Sequence, residues 1–436
     1  MKYLIVLLTL TVACSDTAEE PPTGAENNCV ANCGGTNNGQ NNDDPFGPQD
    51  PADWTSFRNG PLRTGYAVDS VVGPGVQEVW RVEDHLTLEY SAAKPSGAVW
   101  GDMLFYPGDF GDMKAFDRHT GEELWSTRLI DGGNGIHSSP AVTESVVLIG
   151  TYRGYMHALD RESGEEIWKY RVGNVIGSSP VYVPEHEAIY ISHEAPREDP
   201  LPGAGYVTKN NPYTGEALWV SPKLHHWPHA SVAVDPERKV VAVGANDGVF
   251  HAYNTDTGEE IWARDFEMGE EFDPPTADIK TTAAISASRG LLIFGTWDDN
   301  IYALDIETGE TAWQFDTGAN IMGSVAVDDV NGRVYAPSGS PARAVFALDL
   351  DTGEMIWKFD AGGSVISSPA ISGDRSAVVF GSGSSHVYAV NSETGEEIWR
   401  FATDGPVTAS PALVGDMIYV AAKEGSLYGL RTCECE

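Results

Sequence analysis

Ala158-Leu-Asp-Arg-Glu-Ser-Gly-Glu-Glu-Ile-Trp168 is one copy of a template that runs through most of the chain. The template reads Ala, a hydrophobe, Asp or Asn, two free positions, Thr or Ser, Gly, Glu, two further positions and Trp. Seven copies end at Trp125, Trp168, Trp219, Trp262, Trp313, Trp357 and Trp399, spaced by 43, 51, 43, 51, 44 and 42 residues. A period in the forties with an aromatic signature marks the blades of a β-propeller. Trp80, in Val76–Val82, lies 45 residues before Trp125 and is in phase, which brings the count to eight.

Each template position has a physical role. The short first strand of a blade reads Ser-Ser-Pro-Ala-Val or similar (138–142, 178–182, 367–371, 409–413), small because inner strands crowd near the axis. The second is apolar and β-branched, as in Val146–Gly150 and Leu291–Gly295. The Asx residue (Asp117, Asp160, Asn211, Asn254, Asp305, Asp349, Asn391) suits a turn whose amides it can satisfy. The glycine four residues later suits a hairpin that needs positive φ. The Trp is expected to wedge between neighbouring blades, where one buried indole removes ~200 Å² from water, worth ~5 kcal/mol.

The ends of the repeat are incomplete. Residues 76–82 form a last strand with no preceding turn, and residues 409–431 give three strands without the final Trp strand. The N-terminal strand therefore completes the C-terminal blade and leaves no unpaired seam. The expected fold is all-β: an eight-bladed β-propeller of four-stranded antiparallel blades over residues 53–436.

Composition bounds the function. A formal charge of −37 over 436 residues excludes a nucleic-acid binder, which needs a basic surface. Lys2 followed by the apolar run Tyr3–Ala13 reads as an export signal, too short to span a bilayer. Thr11-Val-Ala-Cys14 resembles the lipobox of bacterial lipoproteins, which implies lipid attachment at Cys14 and residues 1–14 as the signal peptide and lipobox. Residues 15–52 are polar, without apolar side chains enough to form a core, and read as a disordered tether. Cys29, Cys33, Cys433 and Cys435 are an even set in an exported chain, with disulfide pairing open among three connectivities.

The template resembles the tryptophan-docking motif of pyrroloquinoline-quinone-type (PQQ) propellers. The lead-in segment Trp54-Thr-Ser-Phe-Arg58-Asn-Gly60-Pro-Leu-Arg63-Thr-Gly65 is similar to one that precedes the first blade in that superfamily. Two branches follow from the resemblance. BamB-like outer-membrane lipoproteins imply a lipid-anchored, non-catalytic scaffold that holds envelope or outer-membrane proteins, facing the periplasm or the cell surface. Quinoprotein alcohol dehydrogenases imply PQQ with calcium on the propeller axis. That branch is longer and carries two adjacent cysteines over the quinone, whereas no cysteine lies between residues 34 and 432 here. The first branch is the expected one, without cofactor.

No nucleophile elbow, metal-spaced His pair or phosphate loop is present, and Asp349-x-Asp351-x-Gly353 is the repeat turn, so no catalytic or metal residue is assigned. Departures from the repeat carry more information. Insertions fall at His193–Gly205, His225–His229 and Phe266–Lys280, all on loops that a propeller places on one face, in one sector. Lys209 also replaces the template Ala there. Two residues before each innermost Ser or Thr stand Lys94, His137, Gly177, His229, Lys280, Met322, Ile366 and Thr408. Lys94, His137, His229 and Lys280 form a candidate axial site for an anionic group in an otherwise acidic protein.

Overall fold

The computed structural model describes residues 53–83, 95–108, 110–130, 135–195, 203–266, 279–423 and 425–433. The export signal, the tether, Cys14, Cys29, Cys33, Cys435 and Lys94 lie outside these residues.

Eight four-stranded antiparallel sheets make up the described chain. Blade 1 runs Ala98–Trp100, Met103–Pro107, Asp112–Asp117 and Glu123–Arg128, from inner to outer strand. Blades 2 to 7 repeat this order, and their outer strands carry the template Trp residues. In blade 8 the outer strand is Gly75–Val82, which pairs with Leu427–Cys433 from Gly75 opposite Cys433 to Val82 opposite Leu427. The expected closure is thus present, with a bulge between Glu78 and Trp80. Cys433, at the end of this pairing, is disulfide-bonded.

The apolar core is distributed between blades, as a repeat fold requires. Ile293 and Ala303 of blade 5, for example, pack with Val334 and Phe346 of blade 6. Each template Trp docks on the next blade by a specific bond as well as by area. Trp125 Nε1 donates to the carbonyl of Arg161 at 2.9 Å, Trp219 to that of Thr255 at 2.9 Å and Trp313 to that of Leu350 at 2.9 Å. At the seam Trp80 donates to Arg118 and Trp399 to Gly73. Trp168, Trp219 and Trp262 remain partly exposed, so their burial is less complete than the template suggests.

The turn that receives each indole follows the template chemistry. Asp305 Oδ1 accepts the amides of Glu307 and Thr308 at 3.0 and 2.9 Å, and Thr308 Oγ1 accepts that of Glu310. Gly164 has φ +73°, and a Cβ there would sit 2.6 Å from the Trp125 ring. The template glycine therefore serves both the turn and the neighbour's indole.

The innermost strands begin later than expected. Blade 2 starts at Ala141 and blade 7 at Ala370, because the preceding Pro has no N–H for the ladder. The Ser-Ser-Pro residues ahead of them do something else. The amide of Ser139 donates to Ser179 Oγ, Ser179 to Ser231 Oγ, Ser231 to Thr282 Oγ1 and Thr282 to Ser324 Oγ, each near 2.9–3.0 Å. With Ser96 to Ser139, Ser324 to Ser368 and Ser368 to Ser410, seven consecutive blade junctions are bonded around the axis. Small size was a sufficient reading of these positions from sequence; the hydroxyl is what they supply.

Candidate functional site

The lead-in segment closes one end of the axis. Its carbonyls accept amides from the inner strands of blade after blade: Trp54 from Val99, Thr55 from Val142, Pro61 from Val234, Leu62 from Ile285, Thr64 from Val327 and Gly65 from Ile371. Two buried arginines complete the seal. Arg63 Nε donates to Val232 O at 3.0 Å, and its Nη atoms to Phe57 O at 2.6 Å, Ser179 O at 3.1 Å and Pro180 O at 3.3 Å. Arg58 donates to Val325 O at 2.7 Å and to Pro369 O. Burial pushes both guanidinium groups down to about 9, Arg58 also through the charge of Arg63, so both are still cations at neutral pH. Carbonyl dipoles stand in for counter-ions here.

Beyond the ring of Ser and Thr hydroxyls the axis opens into a mouth. The described residues two positions before that ring are all partly exposed, whereas the ring itself is buried. The structure places His137 with its ring 4.3 Å from that of Tyr152. A Cβ built on Gly177 would lie 3.9 Å from Tyr152 and 4.0 Å from His229, so the glycine leaves a notch between phenol and imidazole. His229 Nε2 lies 3.6 Å from Glu194 Oε1, and its ring is stacked on Trp227, 6.0 Å away. His137 and His229 are thereby brought together around Gly177. Lys280 stands on the face of Trp297, with Nζ 4.0 Å from the ring centroid, a cation–π geometry. Burial and the nearby Glu194 charge push the Tyr152 hydroxyl up, which keeps it a neutral donor. A cleft of about 220 Å³, lined by Tyr152, Arg153, Arg171, Asn174 and Val175, opens beside this group.

The three insertions meet in one sector. Gly205 and Leu224 exchange backbone bonds, the Asn246 amide donates to Trp227 O, and the Ile279 amide donates to Ala245 O. The interiors of two insertions, 196–202 and 267–278, lie outside the described residues. Lys209 faces away from the mouth chemistry: its Nζ donates to Thr255 O at 3.2 Å and covers the Tyr190 ring, bridging blades 3 and 4. Tyr152, Glu194 and Trp297 went unassigned in the sequence, although the strand registers place all three at one repeat position, at or just past the end of the second strand of blades 2, 3 and 5, and Glu194 lies in the His193–Gly205 insertion.

Calcium takes six to eight oxygen ligands. Among the described residues no three His, Cys, Asp or Glu side chains gather to hold a metal ion. Asn246 Oδ1 and Asp247 Oδ2 are buried acceptors without a partner there, which is two oxygens and not a coordination shell. No chemical step is derived through a calcium-bound quinone.

Eight blades, indole docking and a closing N-terminal strand define an eight-bladed propeller of the PQQ-like repeat class. Within that class, the family model described as "Outer membrane protein assembly factor BamB" matches residues 77–193, 203–341 and 341–433. The chain belongs to that family. Solved structures with the same fold include a europium-containing methanol dehydrogenase, with TM-score 0.70 and 12% identity over 88% of this chain and 98% of that one. A quinohemoprotein alcohol dehydrogenase from Comamonas testosteroni gives TM-score 0.70 and 14% identity over 88% and 81%. BamB from Moraxella catarrhalis gives TM-score 0.63 and 17% identity over 82% and 100%. No curated protein matches the sequence. At these identities the structures share the fold alone. No helix among the described residues is long and apolar enough to cross a membrane.

Proposed function

We propose that this protein is a non-catalytic scaffold of the cell envelope, anchored by lipid at Cys14, that holds partner proteins during outer-membrane protein assembly. The observation that carries this reading is the family match, which spans the blades from residue 77 to residue 433. Two features support it. The axis is sealed at one end by the protein's own backbone and two arginines, and at the mouth His229 and Lys280 are each engaged by a neighbouring side chain.

The test is depletion of the protein in its own cell, followed by quantification of β-barrel proteins in the outer membrane. Reduced barrel levels, restored by the wild-type chain and less well by Cys14→Ser, are the expected result. Unchanged barrel levels overturn the reading. A stoichiometric chromophore formed on mixing the protein with PQQ and Ca²⁺ would instead favour a quinone-binding propeller.

A further inference from the structure

On the face opposite the mouth, the turns of blades 6 and 7 enclose a cleft of about 320 Å³. Arg333 lines it from an unusual position. It opens the second strand of blade 6, where every other blade has an apolar residue, Val240 and Leu291 in the two preceding blades. Arg375, in the inner turn of blade 7, lines the same cleft. Two guanidinium groups in one cleft are a local inversion of charge in a protein of net charge −37.

The cleft is preorganised. Arg375 Nε donates to Asp328 Oδ1 at 3.0 Å, and its guanidinium carbon stands 4.1 Å from the Tyr66 ring centroid. Asp328 is fully buried and also accepts the amides of Val330 and Asn331 and the side-chain amide of Asn331. Only Nε of Arg375 is thus used, and its two Nη groups have no hydrogen-bond partner among the described residues. Arg333 Nη2 lies 3.9 Å from Glu393 Oε1, too far for a hydrogen bond, and Glu393 is 77% exposed, so this pair is weak. Asn391, also in the lining, accepts the Glu393 and Thr394 amides through Oδ1. The hydroxyls of Ser376 and Ser392 are already donated, to Asp374 Oδ2 at 2.7 Å and Arg375 O at 2.6 Å, so the two arginines are left as the charged donors of the cleft, and Glu393 is the one carboxylate in its lining.

We infer that this cleft is a binding site for a compact oxyanion, a carboxylate or a phosphate, held by the guanidinium groups of Arg333 and Arg375. Planar forks of this kind match both oxyanions in two-point contact, and a polar cleft of this size suits a small ligand. The site is independent of the scaffold reading and lies on the other face of the propeller.

Isothermal titration calorimetry of the full chain with inorganic phosphate and with succinate tests it, the two probes separating the two oxyanion sources. Saturable binding of at least one is expected. R333L, which installs the residue that blade 5 carries at this position, should weaken it by roughly tenfold or more, as expected for a lost charge-assisted pair. E393Q, which removes the competing carboxylate, should tighten it, and R400M, at a largely exposed arginine outside the cleft lining, should leave it unchanged. No saturable binding of either probe overturns the proposal, as does equal affinity in the wild type and a folded R333L. If R333L does not fold, E393Q decides: unchanged or weaker binding there overturns the site.

Discussion

The indole N–H of Trp80, on the outer strand of the last blade, donates to the carbonyl of Arg118 in the first blade at 2.9 Å. This bond spans the junction of the eighth blade with the first, a seam beside the pairing of Gly75–Val82 with Leu427–Cys433 that closes the ring. Each of the other seven junctions also has a Ser or Thr hydroxyl bonded across the axis, but Ser96 Oγ is buried without a partner among the described residues. The seam therefore leans on Trp80 more than any other junction leans on its Trp. Trp80→Phe is expected to cost ~2 kcal/mol, from the lost bond and the stranded carbonyl. Trp168→Phe, at a partly exposed indole, should cost ~1 kcal/mol or less. Urea unfolding followed by far-UV circular dichroism measures both, and equal costs would show that the seam has no special dependence.

Gly164 separates two demands that the template imposes together. Its φ of +73° disfavours any side chain, and its α-carbon lies against Trp125. Gly101 has φ +56° with nothing within 4 Å of a built Cβ. Gly101→Ala should cost ~1 kcal/mol, the backbone strain alone. Gly164→Ala adds the collision with the indole, and a loss of ~3 kcal/mol or more is expected. A similar loss at both sites in thermal unfolding would mean that the indole yields at little cost.

The fold was legible because its signal is local and repeated: Asx, Gly and Trp of one template fall within eleven residues and recur seven times. What seals the axis was not legible, although its residues were in view. Arg58 and Arg63 stand five residues apart in the lead-in segment, but their partners Val325 and Val232 lie 267 and 169 residues away. No spacing pattern reports such contacts. The Ser positions show the same limit, since each hydroxyl serves an amide 40 to 52 residues distant. At the mouth the repeat phase of the ring positions points to His137 and His229, while Tyr152 and Glu194, which surround them, share a second repeat position with Trp297 whose side chains, a phenol, a carboxylate and an indole, have no chemistry in common that would mark it.

Arg63 gives the axial seal a direct test. Its guanidinium serves four carbonyls from Phe57, Ser179, Pro180 and Val232, and its side chain has no exposure to exchange them for water. Arg63→Met keeps much of the volume and leaves those acceptors without their donor. A loss of ~3–5 kcal/mol is expected, in the range for breaking a buried charged network. Arg400→Met, at a largely exposed side chain, should stay within ~0.5 kcal/mol of wild type. If the two variants unfold at the same denaturant concentration, the lead-in segment does not hold the ring.

His193 makes stability depend on pH in a defined window. It is buried, its Nδ1–H donates to Glu194 O at 3.0 Å, and Nε2 has no partner among the described residues. Burial pushes the imidazole down from 6.5 to about 4. At neutral pH it is uncharged in both folded and unfolded chains. On acidification the unfolded chain takes up the proton near pH 6.5, and the folded one only near pH 4. Between those values the unfolded state binds more protons, so this group removes stability as pH falls, by on the order of 3 kcal/mol over the window. His193→Asn retains a donor for Glu194 O but cannot titrate. Denaturant unfolding across pH 4 to 7 should therefore show a shallower acid-side slope in the variant, on top of any constant offset from altered packing. Parallel profiles would mean that the imidazole gains its proton equally well in the folded chain, and that the base of this insertion is open to water.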